Sequence, residues 1–275
     1  MNTIESPDAD RVFAGSIPQL YDRYLVPLIF EPYAVDLARR VAEREPARVL
    51  EIAAGTGVVT RQLANTLAPN ASIVATDLNQ PMLDHAAAIG TMRTVEWRQA
   101  DAMQLPFADE AFDVVVCQFG VMFFPDKAKA FAEARRVLRA GGAFIFNVWD
   151  RIDQNDFADT VTTALEALFP ADPPRFMARV PHGYHDHAII AQDLARGAFS
   201  RPPEFTTLAA RSCAASPRIP AMAYCQGTPL RSEIESRDAL RLGEATDIAT
   251  AAIARRFGAG LVDGAIQAHV VTIER

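Results

Sequence analysis

The sequence has no apolar run long enough to cross a bilayer and no basic N-terminal stretch leading into an apolar one, so neither membrane insertion nor export is expected; the default compartment is cytoplasmic. Cysteine is scarce. Cys117, Cys213 and Cys225 cannot all pair with one another and show no paired ligand spacing, which fits a reducing compartment and nominates no metal site. Low-complexity tracts, internal repeats and a composition-marked linker are also missing, which argues against solenoids and strings of modules. A surplus of positive charge is lacking too. The net charge of −7 opposes broad contact with nucleic acid phosphate. What remains is a 275-residue chain, half of it apolar, able to bury a substantial core as one domain with insertions.

The stretch from Val49 to Ala64 carries the most information. Val49, Leu50 and Ile52 form a short apolar run, and Val59, Leu63 and Leu67 recur at helical spacing until Pro69. Between them stands Gly55-Thr56-Gly57, a turn tight enough to need residues without Cβ and followed by the unpaired N–H groups of a helix start. A dinucleotide-binding turn carries a third Gly or Ala three residues after the second glycine, where this chain has Thr60. Glu51, four residues before Gly55, would also repel a pyrophosphate and attract a positively charged ligand.

The segment Glu-Ile-Ala-Ala-Gly-Thr-Gly, Glu51 to Gly57, resembles the first motif of the class I S-adenosylmethionine-dependent methyltransferases. A second apolar strand, Ser72 to Asp77, ends in a carboxylate about 20 residues after the first glycine, a spacing suited to ribose hydroxyls. Asn79 and Pro81 open a helix that stops at Gly90, and a third strand, roughly Thr94 to Gln99, runs into Asp101-Ala102. The resemblance places the adenine at Asp101 and Ala102, with Leu78 and Met82 sandwiching the ring. The string from Phe-Phe-Pro-Asp126 to Arg-Val-Leu-Arg-Ala-Gly-Gly142 is similar to the ubiquinone/menaquinone-biosynthesis branch, the likeness being strongest from about Val49 to Trp149.

The expected fold is therefore α/β: a Rossmann-like, seven-stranded, mostly parallel sheet with an antiparallel last strand, plus helical lid insertions. Phe112 to Gln118 and Ala143 to Trp149 read as strands four and five, with a helix between them stopped by Gly141-Gly142; Glu204 to Arg211 and Gln267 to Glu274 read as six and seven. Residues 1–46 read as an N-terminal cap, 47–150 as the cofactor-binding core, and 151–185 and 214–262 as lid or substrate insertions, the second helical from Pro229 to Gly258.

The cofactor implied is S-adenosyl-L-methionine, and its candidate contacts are Tyr21, Glu51, Ala53, Gly55, Thr56, Gly57, Asp77, Leu78, Met82, Asp101, Ala102, Gln118 and Phe119. Tyr21 is chosen because an aromatic face attracts a sulfonium; Tyr24 and Tyr33 fit a role covering the sheet edge equally well. Gln118 and Phe119 stand at the end of the fourth strand, where the resemblance implies residues between cofactor and acceptor. Methyl transfer to a small-molecule acceptor relies mainly on in-line positioning, and an acidic acceptor would add a general base, for which His182, Tyr184 and His185 are candidates. The same cluster has a structural reading, since Asp186 makes a sound N-cap. Two other functions use the same turn. A nicotinamide-dependent oxidoreductase is opposed by Thr60, by Glu51 and by the absence of a Tyr-x-x-x-Lys pair; a noncatalytic S-adenosylmethionine binder differs only in lacking turnover.

Overall fold

The computed structural model describes residues 17–275; the part of the expected N-terminal cap before Ile17 lies outside them. Seven strands form one sheet: β1 Arg48–Ile52, β2 Ser72–Asp77, β3 Glu96–Gln99, β4 Phe112–Gln118, β5 Leu138–Trp149, β6 Glu204–Ala214 and β7 Val262–Glu274, in the order β3-β2-β1-β4-β5-β7-β6. Strands β1 to β5 pair in parallel and β7 runs antiparallel to β5, as expected from the sequence. The chain divides into two compact units.

One unit holds Glu31–Trp149, Tyr184–Leu208 and Ala268–Arg275. Its inner strands are apolar on both faces because helices cover both. On the first face Val49, Ile73, Val114, Val116, Ala143, Ile145 and Val270 meet Leu37 and Val41 of the helix Glu31–Ala42 and Val59 and Leu63 of the helix Val58–Thr66. The second face is aromatic: Phe131, from the helix Lys127–Val137, stacks on Phe146 with ring centroids 5.6 Å apart and meets Phe144 edge-on. The helix His187–Arg196 packs on the same helix, and a Cβ added to its C-cap Gly197 would lie 2.6 Å from the Cβ of Phe131. At the other end of the sheet, β3 is four residues long and largely exposed.

One sequence expectation fails here. Gly141 and Gly142 do not stop the preceding helix, which ends at Val137; they lie inside β5, which begins at once with Leu138 paired to Phe112. The register then shifts, so that Val114 pairs with Ala143, and Gly141 takes a φ of 74° in the displaced segment. Glycine there serves a bulge, and the helix stops because Leu138 adopts extended dihedrals.

The other unit comprises the described residues up to Phe30, Asp150–Gly183 and Ala209–Gln267. A π-helix, Tyr21–Phe30, contains Pro27, which has no N–H to donate to its ladder. The helix Asp156–Leu168 buries Phe157, Val161, Leu165 and Leu168, as its periodicity predicts, and packs on the helix Leu242–Phe257. The segment from Pro229 to Gly258 is two helices, not one: the Asp238 side chain accepts the Leu240 N–H at 3.0 Å and starts a short 3-10 turn that separates Leu230–Asp238 from Leu242–Phe257. A helix at Arg218–Gln226 was not read from the sequence. No helix among the described residues is long and apolar enough to cross a membrane.

Phe131 is fully buried between aromatic neighbours. Phe131→Ala is expected to lower the unfolding free energy by about 3–5 kcal/mol, read from urea denaturation.

Candidate functional site

Along the first sheet face the residue type changes from apolar to polar at the carboxyl ends of the strands. Side chains two apart on a strand share a face, and registered partners in parallel strands do too. Val49 is followed on that face by Glu51, Ile73 and Ala75 by Asp77, Val114 and Val116 by Gln118, and Ala143 and Ile145 by Asn147. Open α/β sheets bind ligands at this edge.

Between β1 and the helix at Val58 the backbone turns left-handed three times, at Ala53 (φ 55°), Gly55 (φ 56°) and Gly57 (φ 81°). Gly57 is required for a second reason: a Cβ there would lie 3.0 Å from Cη2 of Trp97 and 3.1 Å from the Cβ of Ala86. No side chain caps the helix that follows, so its first N–H groups point outward for a ligand. Thr56 is buried, and its Oγ1 has no hydrogen-bond partner among the described residues.

Asp77 braces the turn. Its Oδ2 accepts the Gly55 N–H at 2.9 Å and its Oδ1 accepts the Asn79 N–H at 2.8 Å. Burial raises the Asp77 pKa, and these same N–H donors oppose the rise. Oδ1 also accepts from Asn79 Nδ2 at 3.4 Å, so both of its lone pairs are used. Glu51 is also buried, and its Oε2 accepts a 2.6 Å hydrogen bond from Thr60. Thr60, the residue that departs from the dinucleotide pattern, thus holds the acidic group. Desolvation pushes the Glu51 carboxyl up to about 8, with Asp77 adding to the rise and Thr60 and Arg61 opposing it. The fixed negative charge expected from the sequence is therefore a proton-bearing group near neutrality until a cation faces it.

Asp101 closes its own turn through Oδ1 and the Met103 N–H at 2.8 Å, and Ala100 donates to the Asp77 carbonyl at 3.0 Å. Met82 is buried, with its Cε 3.8 Å from a Cβ added at Gly55, whereas Leu78 is exposed. Phe119, left-handed at φ 49°, stacks on Trp149 with centroids 3.8 Å apart, and Tyr33 meets both rings edge-on. Tyr33, Trp149 and Asn147 were not among the sequence candidates. The alternation of β5 was the signal for Asn147 and Trp149. Tyr21 belongs to the other unit, where its ring stacks on Phe30 at 5.0 Å.

The three base candidates do not form one cluster. His182 is buried, with Nδ1 2.8 Å from the carbonyl oxygen of Asp150. Tyr184 belongs to the unit that holds Glu31–Trp149 and donates to Asp193 Oδ2 at 2.9 Å; burial and that carboxylate both push its pKa up, holding the phenol protonated. His185 is partly exposed just before the helix whose first N–H groups Asp186 caps. Among the described residues no group of three or more His, Cys, Asp or Glu is placed to hold a metal.

Residues 50–146 match the family model described as a methyltransferase domain. Residues 50–146 form a methyltransferase domain. The domain is similar to a Thermus thermophilus demethylmenaquinone methyltransferase, 43% identical over 114 residues, which are 41% of this chain and 50% of that protein. It is also similar to a Pseudomonas syringae ubiquinone/menaquinone biosynthesis C-methyltransferase, 36% identical over 121 residues, 42% of this chain and 46% of the relative. The chain thus spans about half the length of the curated relatives it matches. A Haemonchus contortus phosphoethanolamine N-methyltransferase, solved with S-adenosylhomocysteine, shares the fold at a TM-score of 0.60 and 16% identity, over 100% of this chain and 61% of that one.

Glu51 binds its proton more tightly in the folded domain than at its ordinary value of 4.5, so its contribution to stability is full below that value and declines as pH rises to about 8. Glu51→Gln is expected to remove this decline. Urea denaturation of both proteins across that window should give curves that diverge with increasing pH, the variant being the more stable at the alkaline end.

Proposed function

We propose that the protein transfers the methyl group of S-adenosylmethionine to an oxygen-bearing small molecule, on a quinol-type ring. The observation that carries this reading is the buried Glu51, held by Thr60 beneath the Gly55 to Gly57 turn, because a buried carboxylate beside a turn with open N–H groups suits a ligand joining a cationic amine to a carboxylate. When bound, S-adenosylmethionine supplies an electrophilic methyl group on a sulfonium. The residues present fit it. The turn from Ala53 to Gly57, with the Thr56 hydroxyl, takes the amino-acid portion; Glu51 faces the ammonium; the Asp77 carboxylate takes the ribose hydroxyls. Asp101 and Ala102, with Met82 and Leu78, take the adenine, and Gln118 and Phe119 stand on the acceptor side. Tyr21 is kept as a cofactor contact on its sulfonium-attracting ring alone.

For proton removal the reading keeps His182 and His185. A carbonyl oxygen only accepts, so Nδ1 of His182 carries the hydrogen and Nε2 is the basic nitrogen of the neutral ring. Tyr184, held protonated by its environment, is not the base. The quinol-type acceptor rests on the names of the relatives and on the rings of Tyr33, Phe119 and Trp149.

Calorimetric titration should give micromolar binding of S-adenosylmethionine and S-adenosylhomocysteine, weakened about tenfold or more by Glu51→Gln, since one lost charge-assisted contact is worth at least that. Below about 8 the wild-type affinity should fall as pH falls, because Glu51 must give up its proton to face the ammonium. Saturable binding of NADH in place of these ligands would overturn the proposal. With a reduced short-chain demethylmenaquinone as acceptor, mass spectrometry should find a product heavier by one methyl group. Of His182→Ala and His185→Ala, the one that removes the base should lower kcat by about 100-fold or more with cofactor affinity kept, and Tyr184→Phe should leave kcat close to wild type.

A further inference from the structure

Asn147 lies on β5, opposite Gln118 of β4 and Val270 of β7, and is fully buried. Its Oδ1 accepts the Phe119 N–H at 2.8 Å. Because a backbone N–H only donates, this bond fixes which end of the amide faces Phe119 and turns the NH2 group away from it. Among the described residues nothing accepts from that Nδ2. A buried donor left unmade is destabilising, a cost that a leucine of similar shape would avoid. The amide is therefore retained for a partner that the chain itself does not provide.

Its surroundings say what kind of partner. Asn147 completes the polar row of Glu51, Asp77 and Gln118 at the carboxyl edge of the sheet face, and Trp149 shares that face. Phe119, whose N–H it holds, stacks on Trp149. The next residue, Gly120, runs so close to the glycine turn that an added Cβ would sit 2.5 Å from the Cβ of Ala53. A neutral, buried donor bordered by aromatic rings and by the cofactor turn suits the oxygen of a flat ring, carbonyl or oxyanion, and offers nothing to an ammonium.

We infer that the Asn147 NH2 group is the hydrogen-bond donor that anchors the acceptor's ring oxygen, with Phe119 locking the amide in that orientation. This rests on the methyl-transfer reading of the same site. The test titrates protein saturated with S-adenosylhomocysteine with 2-hydroxy-1,4-naphthoquinone, a ring oxyanion whose visible band reports its hydrogen bonding. Wild-type protein should show a saturable spectral shift. Asn147→Asp keeps an oxygen for the Phe119 N–H but replaces the donor, and should weaken the probe about tenfold or more, with S-adenosylhomocysteine affinity within about twofold of wild type. Asn147→Ser, which also lacks the amide, gives the same readout should the aspartate variant not fold. Equal probe affinity in a folded variant, or no saturable shift in wild-type protein holding S-adenosylhomocysteine, overturns the inference while the cofactor reading stands. Failure of S-adenosylhomocysteine to bind sinks that reading and this inference together.

Discussion

Two acidic side chains taken out of water at the end of neighbouring strands set the terms for everything around them. Asp77 makes its burial tolerable by accepting backbone N–H groups from two segments, and in doing so ties Gly55, on the β1 side, to Asn79, on the β2 side. Glu51 accepts one hydroxyl, from Thr60, and Arg61 also favours its charged form, but desolvation outweighs both and raises it to about 8. Left-handed residues at three of five turn positions are tolerable only because this scaffold holds them. The turn is thus fixed by Asp77 while the Glu51 carboxyl behind it sits above its ordinary pKa.

The same arrangement lies in the part of the molecule that matches the family model. The match to the methyltransferase-domain model covers residues 50–146, carried by β1 to β5, where the turn, Asp77 and the strand ends reside. The helices Asp156–Leu168, Arg218–Gln226 and Leu242–Phe257 fall in a separate compact unit with its own buried residues. The matched stretch thus holds the glycine turn and the carboxylates at the strand ends.

Much of this was legible beforehand, for identifiable reasons. The β1 turn and β2 declare themselves through apolar runs bounded by glycine and carboxylate, and Asp186 caps its helix as its position suggests. Gly141-Gly142 misled because paired glycines signal helix stops and bulges alike, and only strand register separates the two. The helix Arg218–Gln226 was hidden by Pro217 and Pro220, which read as loop residues although a first turn has no use for their missing N–H groups. Charge was harder still. Glu51 looks anionic in any sequence, and only its depth in the sheet shows that it is not. Tyr184 and His182, one residue apart from being neighbours, have unrelated partners that no spacing could disclose.

The short outer strand β3 has a consequence of a different kind. Its backbone leaves one row of peptide groups without a neighbouring strand, an invitation to stacking between molecules, yet it runs for only four residues and alternates Glu96 and Arg98 with the bulk of Trp97. A docking strand would gain few hydrogen bonds and would have to match both signs of charge within that length, so aggregation through this margin of the sheet is discouraged by the same residues that keep Trp97 against Gly57.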